Sequence, residues 1–314
     1  MSPTPWRIVF FGTPSFALPS LQKLTQGPDE VVAVVTQPDR EKGRGRKVVP
    51  SPVKEFVLER GLSVFQPEKA KEEAYQEKLR GLGADLFVVA AYGQILTKSL
   101  LNIPKFGAVN VHASLLPKYR GAAPIAWAIL NGEKKAGVTT MLMDEGMDTG
   151  DILLQSEIPI QEDETTQTLH DRLASLGAQL LSQTLEKMKQ GEIHAIPQDP
   201  SKATYAPMLK KEDGRIDWTK GAQEIDRQVR AFQPWPGAYV EWKGQRLRIY
   251  KGEVRQAKAT GKAGKVLWVS LDFIEIETRK DSYLLREVQM EGKKRMSIRD
   301  FLSGHPVPVG TVLE

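Results

Sequence analysis

Apolar residues in this chain follow two rhythms. Over roughly the first third they come as short unbroken runs: RIVFFG at 7–12, VVAVVTQ at 31–37, LSVFQ at 62–66, ADLFVVAAYG at 84–93 and AVNVH at 108–112. Continuous apolar runs of strand length are the mark of a parallel sheet buried on both faces. Helical stretches lie between them. Ser51-Pro52 supplies an N-cap and a first-turn proline, and Gly61 ends that helix. A second helix is predicted over about 70–81, and Pro19 makes the helix after the first strand start late or kink. This alternation predicts a doubly wound α/β domain.

A long helix is predicted over 168–190, where Leu169, Leu173, Leu176 and Leu180 form one apolar stripe and Gly191 ends it. His170 lies off that stripe and is expected at the surface. Residues 192–209 mix Pro, Ser and Asp and predict a linker packed along the surface. A short helix follows at 219–232. Beyond Gly237 the rhythm changes to period two in AYVEW, QRLRIY, GKVLWV and DFIEIET, which predicts a small antiparallel β domain, sandwich or barrel. Residues 292–314 are expected to add one more strand. The expected division is 1–191, a linker at 192–209, and 210–314.

Composition narrows the function classes. At 314 residues, 40% hydrophobic and 26% charged, the chain is an ordinary globular one of about two domains, neither collagen-like, coiled-coil nor wholly disordered. It has no cysteine, so disulfides, thiolate metal sites and a cysteine nucleophile are excluded. The four histidines have no HExxH spacing, and no metal is expected. No apolar run approaches the ~20 residues of a membrane span. The start lacks the features of a signal peptide, so a cytoplasmic location is expected. Residues 206–314 hold 21 Lys and Arg against 15 Asp and Glu, so the net positive charge sits in the last third. A polyanion partner and a merely soluble basic domain both fit that excess.

Four segments are candidates for chemistry. GTPSFALP follows the first strand but is neither a dinucleotide fingerprint nor a phosphate loop. Asn110 and His112 stand two apart on a strand, so their side chains share a face. They lie at the carboxyl end, outside which open α/β sheets bind ligands. Side by side they suit stabilisation of a developing oxyanion, although a lone strand-end histidine is more often structural. Ser114, Leu115, Leu116 and Pro117 begin the following loop, either as an apolar slot or as core plugs. MDEGMDTGD then carries Asp144, Glu145, Asp148 and Asp151, without calcium-loop spacing. One of these folded against His112 makes a carboxylate–imidazole pair for proton transfer. Finally Arg40, Lys42, Arg44, Arg46 and Lys47 crowd a glycine-containing connection, fit for phosphate contacts or simply a solvated run.

RIVFFGTPSFALPSL, GRGRKVVPSPVK, AVNVHASLLPKYRGAAPI and MDEGMDTGDIL, in this order, resemble the methionyl-tRNA formyltransferases among the folate-dependent formyltransferases. The resemblance runs along the whole chain. It implies a Rossmann-type, mostly parallel catalytic domain, then a small C-terminal β-barrel of OB-like topology that binds tRNA. It implies transfer of a formyl group from 10-formyltetrahydrofolate to the amino group of methionine on initiator tRNA; no obligate protein partner is evident. By the same resemblance Asn110, His112 and Asp148 are the catalytic set, Ser114 to Pro117 contact the folate, and the basic connection reads the tRNA. Rival readings are a formyltetrahydrofolate hydrolase, a formyltransferase acting on glycinamide ribonucleotide or an amino-sugar nucleotide, and a non-enzymatic RNA-binding protein.

Overall fold

The computed structural model describes residues 4–42, 47–258 and 261–313. Its described residues form two compact units. One comprises Met1–Pro124, Lys135–Pro159 and His170–Ala206, the other Ile125–Lys134, Ile160–Leu169 and Pro207–Glu314.

In the first unit the chain runs β1 (Arg7–Gly12), α1 (Leu18–Thr25), β2 (Glu30–Val35), β3 (Arg40–Lys42), β4 (Lys47–Val49), α2 (Pro52–Glu59), β5 (Val64–Phe65), α3 (Glu73–Gly81), β6 (Leu86–Ala90), α4 (Lys98–Leu101) and β7 (Ala108–His112). It continues through α5 (Pro124–Leu130), β8 (Lys135–Leu142), β9 (Ile152–Pro159) and α6 (Thr166–Gln190), of which α5 and the start of α6 count with the second unit. A seven-stranded sheet has the order β5-β2-β1-β6-β7-β8-β9. The five strands expected from unbroken apolar runs pair in parallel, while β8 and β9 add antiparallel to β7. The antiparallel pair follows from its short connection, the acidic turn between Leu142 and Ile152, which leaves no room for a crossover.

Local chemistry explains the helix boundaries. Ser51 Oγ accepts the Lys54 N–H at 3.1 Å and caps α2. A 3-10 turn at Ser15–Ala17 precedes α1, so the helix does start late, with Pro19 in its first turn. The basic connection, expected as a plain loop, carries the hairpin β3–β4. Its root is fixed: Asp39 accepts from Lys54 Nζ at 2.6 Å and from Gln66 Nε2 at 2.8 Å, and these donors hold its carboxyl below the usual carboxylate range.

The sheet is buried on both faces. Val9, Phe11, Val35, Phe87 and Val89 join one cluster with Tyr75, Leu79 and Leu100. Helix α6 lies behind β7 and β8: a Cβ on Gly177 would fall 2.9 Å from Val111 Cγ1, and Thr140 and Thr184 share a hydrogen bond of 2.8 Å. Val111 therefore faces α6, and Asn110 and His112 face the other way. His170 is half-buried rather than at the surface, because Phe16 packs edge-on against its ring. No helix among the described residues is long and apolar enough to cross a membrane.

The second unit holds α7 (Ala222–Ala231), β10 (Ala238–Trp242), β11 (Gln245–Arg255), β12 (Val266–Val269), β13 (Ile274–Glu277), β14 (Ser282–Met290), β15 (Met296–Ser297) and α8 (Ile298–Gly304). Its antiparallel sheet runs β10-β11-β14-β13-β12, with β15 on β14. Leu247, Ile249, Ile276, Tyr283, Leu285 and Val288 meet Ile225 and Val229 of α7 and Phe301 of α8 in one core. Strand β14 and helix α8 have no counterpart in the sequence reading. SYLLREVQM sits in the middle of the sheet, buried over its first four residues, and so lacks clean alternation. The start of α8 did carry a local signal, since Ser297 Oγ accepts the Asp300 N–H.

One buried ion pair ties the end of α6 to the sheet. Lys189 Nζ pairs with the Asp29 carboxylate, both side chains being only 5% exposed, and the Trp6 N–H donates to the same oxygen at 2.7 Å. Lys189→Ala strands the Asp29 charge and is expected to lower unfolding free energy by about 3–5 kcal/mol. The exposed neighbour Lys187→Ala should stay within about 0.5 kcal/mol. Urea midpoints of the two variants check this.

Candidate active site

Asn110 and His112 are 8% and 6% exposed at the carboxyl end of β7. They project to one side because β7 is fully extended, between β6 and β8. His112 Nε2 lies 3.1 Å from the Tyr119 carbonyl oxygen. A carbonyl only accepts, so this nitrogen carries the proton. The other ring nitrogen, Nδ1, faces Asp148 Oδ2 at 3.7 Å, an ion-pair distance but too long for a hydrogen bond. The side-chain amide of Asn110 makes no hydrogen bond among the described residues.

Of the four turn acids, the structure brings Asp148 to His112. Asp144 is occupied within the turn, where Oδ1 accepts from the Gly146 N–H and the Thr149 hydroxyl. Glu145 lies 3.6 Å from Lys98. Asp148 has φ +55°, the left-handed region, and its Oδ2 accepts the Gly121 N–H at 2.8 Å. Its other carboxylate oxygen has no hydrogen bond among the described residues.

The Ser114–Pro117 loop is built mainly from internal bonds. Ser114 Oγ donates to the Lys118 carbonyl at 2.6 Å, and the Ser114 carbonyl accepts from Thr139 Oγ1 at 2.6 Å. Leu116 is 3% exposed, and its carbonyl accepts from Gln155 Nε2. Leu115 packs against the bare face of Gly137, where a Cβ would meet Leu115 Cδ2 at 2.4 Å. Leu115 and Pro117 are half-buried, which leaves them as the residues of this loop with surface to offer a ligand. The GTPSFALP turn is tightly packed: a Cβ on Gly12 would fall 2.7 Å from Ala17 Cβ.

Sequence reasoning missed the supports. Gln198, fifty residues beyond Asp148, donates to the Asp148 and Gly150 carbonyls and accepts from Arg120. No local pattern announces a partner so distant in the chain. Of the basic residues, Arg40 is exposed and pairs with Glu68 at 3.2 Å. Lys42 and Lys47 face one another in the hairpin register. Arg44 and Arg46, and the side chains of Lys42 and Lys47, lie outside what the structure describes.

The turn carrying Asp148 depends on Gly150. A Cβ there would lie 1.7 Å from the Leu142 carbonyl oxygen, a backbone atom that has nowhere to go. Gly150→Ala is expected to destabilise by about 2–4 kcal/mol, in the range of other steric insults in packed structure. Differential scanning calorimetry of the variant would read it, and an unchanged melting temperature would contradict the close approach.

Comparison with known proteins supplies the family. Residues 6–185 match the formyl transferase family and residues 208–306 the formyl transferase C-terminal domain. A methionyl-tRNA formyltransferase of Citrifermentans bemidjiense is 51% identical, covering 99% of this chain and 97% of that one. Another, from Caldanaerobacter subterraneus subsp. tengcongensis, is 50% identical over 98% of this chain and 100% of its own. Among solved structures, a sugar 3N-formyl transferase, WlaRD, crystallised in the presence of dTDP and 5-N-formyl-THF, aligns with TM-score 0.65 at 20% identity over 92% of this chain and 99% of that one. A variant of HypX from Aquifex aeolicus aligns with TM-score 0.65 at 18% identity, over 98% of this chain and 48% of that one, so this chain spans about half of HypX. These two likenesses speak for the fold. The near-complete matches at half identity place the chain in the methionyl-tRNA formyltransferase family.

Proposed function

We propose that this chain transfers the formyl group of 10-formyltetrahydrofolate to the free amino group of methionine esterified to initiator tRNA, in the cytoplasm. The observation that carries the site assignment is that Asn110, whose amide has no hydrogen bond among the described residues, shares a strand face with His112, beside which Asp148 lies at 3.7 Å. A neutral amide N–H can donate to a carbonyl oxygen, so these residues fit a formyl donor. The bound donor supplies an electrophilic formyl carbon and an amine leaving group at N10.

Each residue then has a defined task. Asn110 Nδ2 donates to the formyl oxygen as negative charge gathers there. His112, anchored through Nε2 by the Tyr119 carbonyl, presents Nδ1; a proton on Nδ1 serves the same oxygen. Asp148 takes the proton that the amine loses as its new bond to the formyl carbon forms. One proton leaves the attacking nitrogen and one is returned to N10 as the old carbon–nitrogen bond breaks, so the balance closes. Leu115 and Pro117 are the side chains placed to meet the folate. The basic hairpin, with the positively charged C-terminal domain at 210–314, is assigned to the tRNA, and 192–209 to the linker that follows the catalytic domain at 1–191.

The full-length relatives at half identity support the tRNA substrate over a formyltetrahydrofolate hydrolase, in which water replaces the amine. The deciding experiment is formylation of charged initiator tRNA, with formate release measured in its absence. Asn110→Ala is expected to reduce kcat roughly 10²–10³-fold, as for loss of one oxyanion donor. Asp148→Asn is expected to lose most activity with the fold intact, while Asp151→Asn retains it. Near-parental turnover in Asn110→Ala and Asp148→Asn refutes the site.

The tRNA assignment has its own check. Charge reversal at Arg44 and Arg46 is expected to raise KM for tRNA. It should also flatten the dependence of log affinity on log salt by about 0.7–0.9 for each phosphate that is no longer neutralised. KM for the formyl donor should stay as in the parent. An unaltered salt slope assigns tRNA binding elsewhere.

A further inference from the structure

Gln198 is the most fully used side chain near the site, although it lies far from the catalytic strand in sequence. Its Nε2 donates to the Asp148 carbonyl at 2.9 Å and to the Gly150 carbonyl at 2.7 Å. Its Oε1 accepts from Arg120 Nε at 3.1 Å and Nη2 at 2.7 Å. The amide orientation follows from chemistry: carbonyls need donors and a guanidinium needs an acceptor, so only one of the two flips satisfies all four bonds. Arg120 is 4% exposed, and its guanidinium makes these bonds to a neutral amide instead of a carboxylate. A fork of two N–H groups on one oxygen fixes the plane of the Gln198 amide.

What that amide holds is a strained turn. Asp148 sits at φ +55°, a conformation that residues with a side chain rarely adopt. Two carbonyls, at 148 and 150, converge on one NH₂ group, which clamps the backbone on both sides of Thr149. The carboxylate end is fixed separately by the Gly121 N–H. Gln198 is held in place by its own segment, whose neighbour Ile196 pairs with Ile152, while Thr204 and Ala206 bond the Arg120 backbone.

We propose that Gln198, oriented by the buried Arg120, is a positioning residue that sets the distance of the Asp148 carboxylate from His112 and the reacting amine. The inference rests on the reading of Asp148 as proton acceptor. It predicts a defect in turnover and not in binding, because neither Gln198 Nε2 nor Oε1 is left over for a substrate.

Gln198→Glu separates the two halves of the arrangement. The carboxylate still gives Arg120 an acceptor, so the buried cation stays satisfied, but it has no N–H for the two carbonyls. Expected is a fall in kcat of about 10- to 100-fold, the scale of an ångström-level misplacement. KM for the formyl donor and for charged tRNA should stay within about twofold, and the melting temperature within a few degrees. The decisive reading is the cycle with Asp148→Asn. If Gln198 acts through the carboxylate, the double variant is no slower than Asp148→Asn alone. Multiplying losses overturn the inference, as does parental kcat in Gln198→Glu while Asp148→Asn is slow. Normal turnover in Asp148→Asn removes the underlying reading instead. Should Gln198→Glu fail to fold, Arg120→Lys gives the same test, because a single ammonium cannot fix the amide plane. A smaller kcat loss that vanishes in the Asp148→Asn background is then expected, and persistence of that loss overturns the inference.

Discussion

Three consecutive residues, Tyr119, Arg120 and Gly121, each hold a different part of the site. The Tyr119 carbonyl accepts a hydrogen bond from His112 Nε2–H, the Arg120 guanidinium donates to the Gln198 oxygen, and the Gly121 N–H donates to the Asp148 carboxylate. Buried polar groups left without partners are expensive, so each of these bonds constrains its neighbours strongly. The tripeptide is itself fixed by backbone bonds to Thr204 and Ala206. Strand β7, the acidic turn and the 192–206 segment thus share one anchor. Around that anchor one amide, one ring nitrogen and one carboxylate oxygen, on Asn110, His112 and Asp148, have no hydrogen bond among the described residues.

The position of β7 makes such an arrangement tolerable in the interior. Val109 and Val111 take one face, and α6 covers it closely because Gly177 has no side chain. The sheet is therefore secured on the apolar side without help from Asn110 or His112. The energetic load of the site is carried by burial elsewhere, including the fully buried Ile8–Phe11 run of β1.

The second unit follows a different logic. Its sheet encloses one apolar core with two helices. The excess of cations lies in the last third of the sequence, and charge of one sign acts over a distance and needs no particular contact. The first unit needs contact at the ångström scale. The distribution of charge and the distribution of chemistry along the chain therefore diverge.

Much of this was legible in the sequence because burial is written locally. Unbroken apolar runs marked β1, β2, β6 and β7, and a period of two placed Asn110 and His112 on one face without any knowledge of the fold. The Ser51 cap and the delayed start of α1 were equally local. The strand ILLQSEIPI, which forms β9 at the sheet edge, was legible, whereas β8 and the central strand β14 were less visible because long buried stretches leave no clean alternation to mark their period. Only the tertiary structure decided which of Asp144, Glu145, Asp148 and Asp151 meets the histidine, because all four are the same kind of residue within eight positions and the turn geometry selects among them. Only the structure, likewise, joined Gln198 to Arg120 and Asp148. Periodicity reports which side of an element faces the core; it contains nothing about which distant segment supplies the hydrogen bond, because that depends on the path of the chain between them.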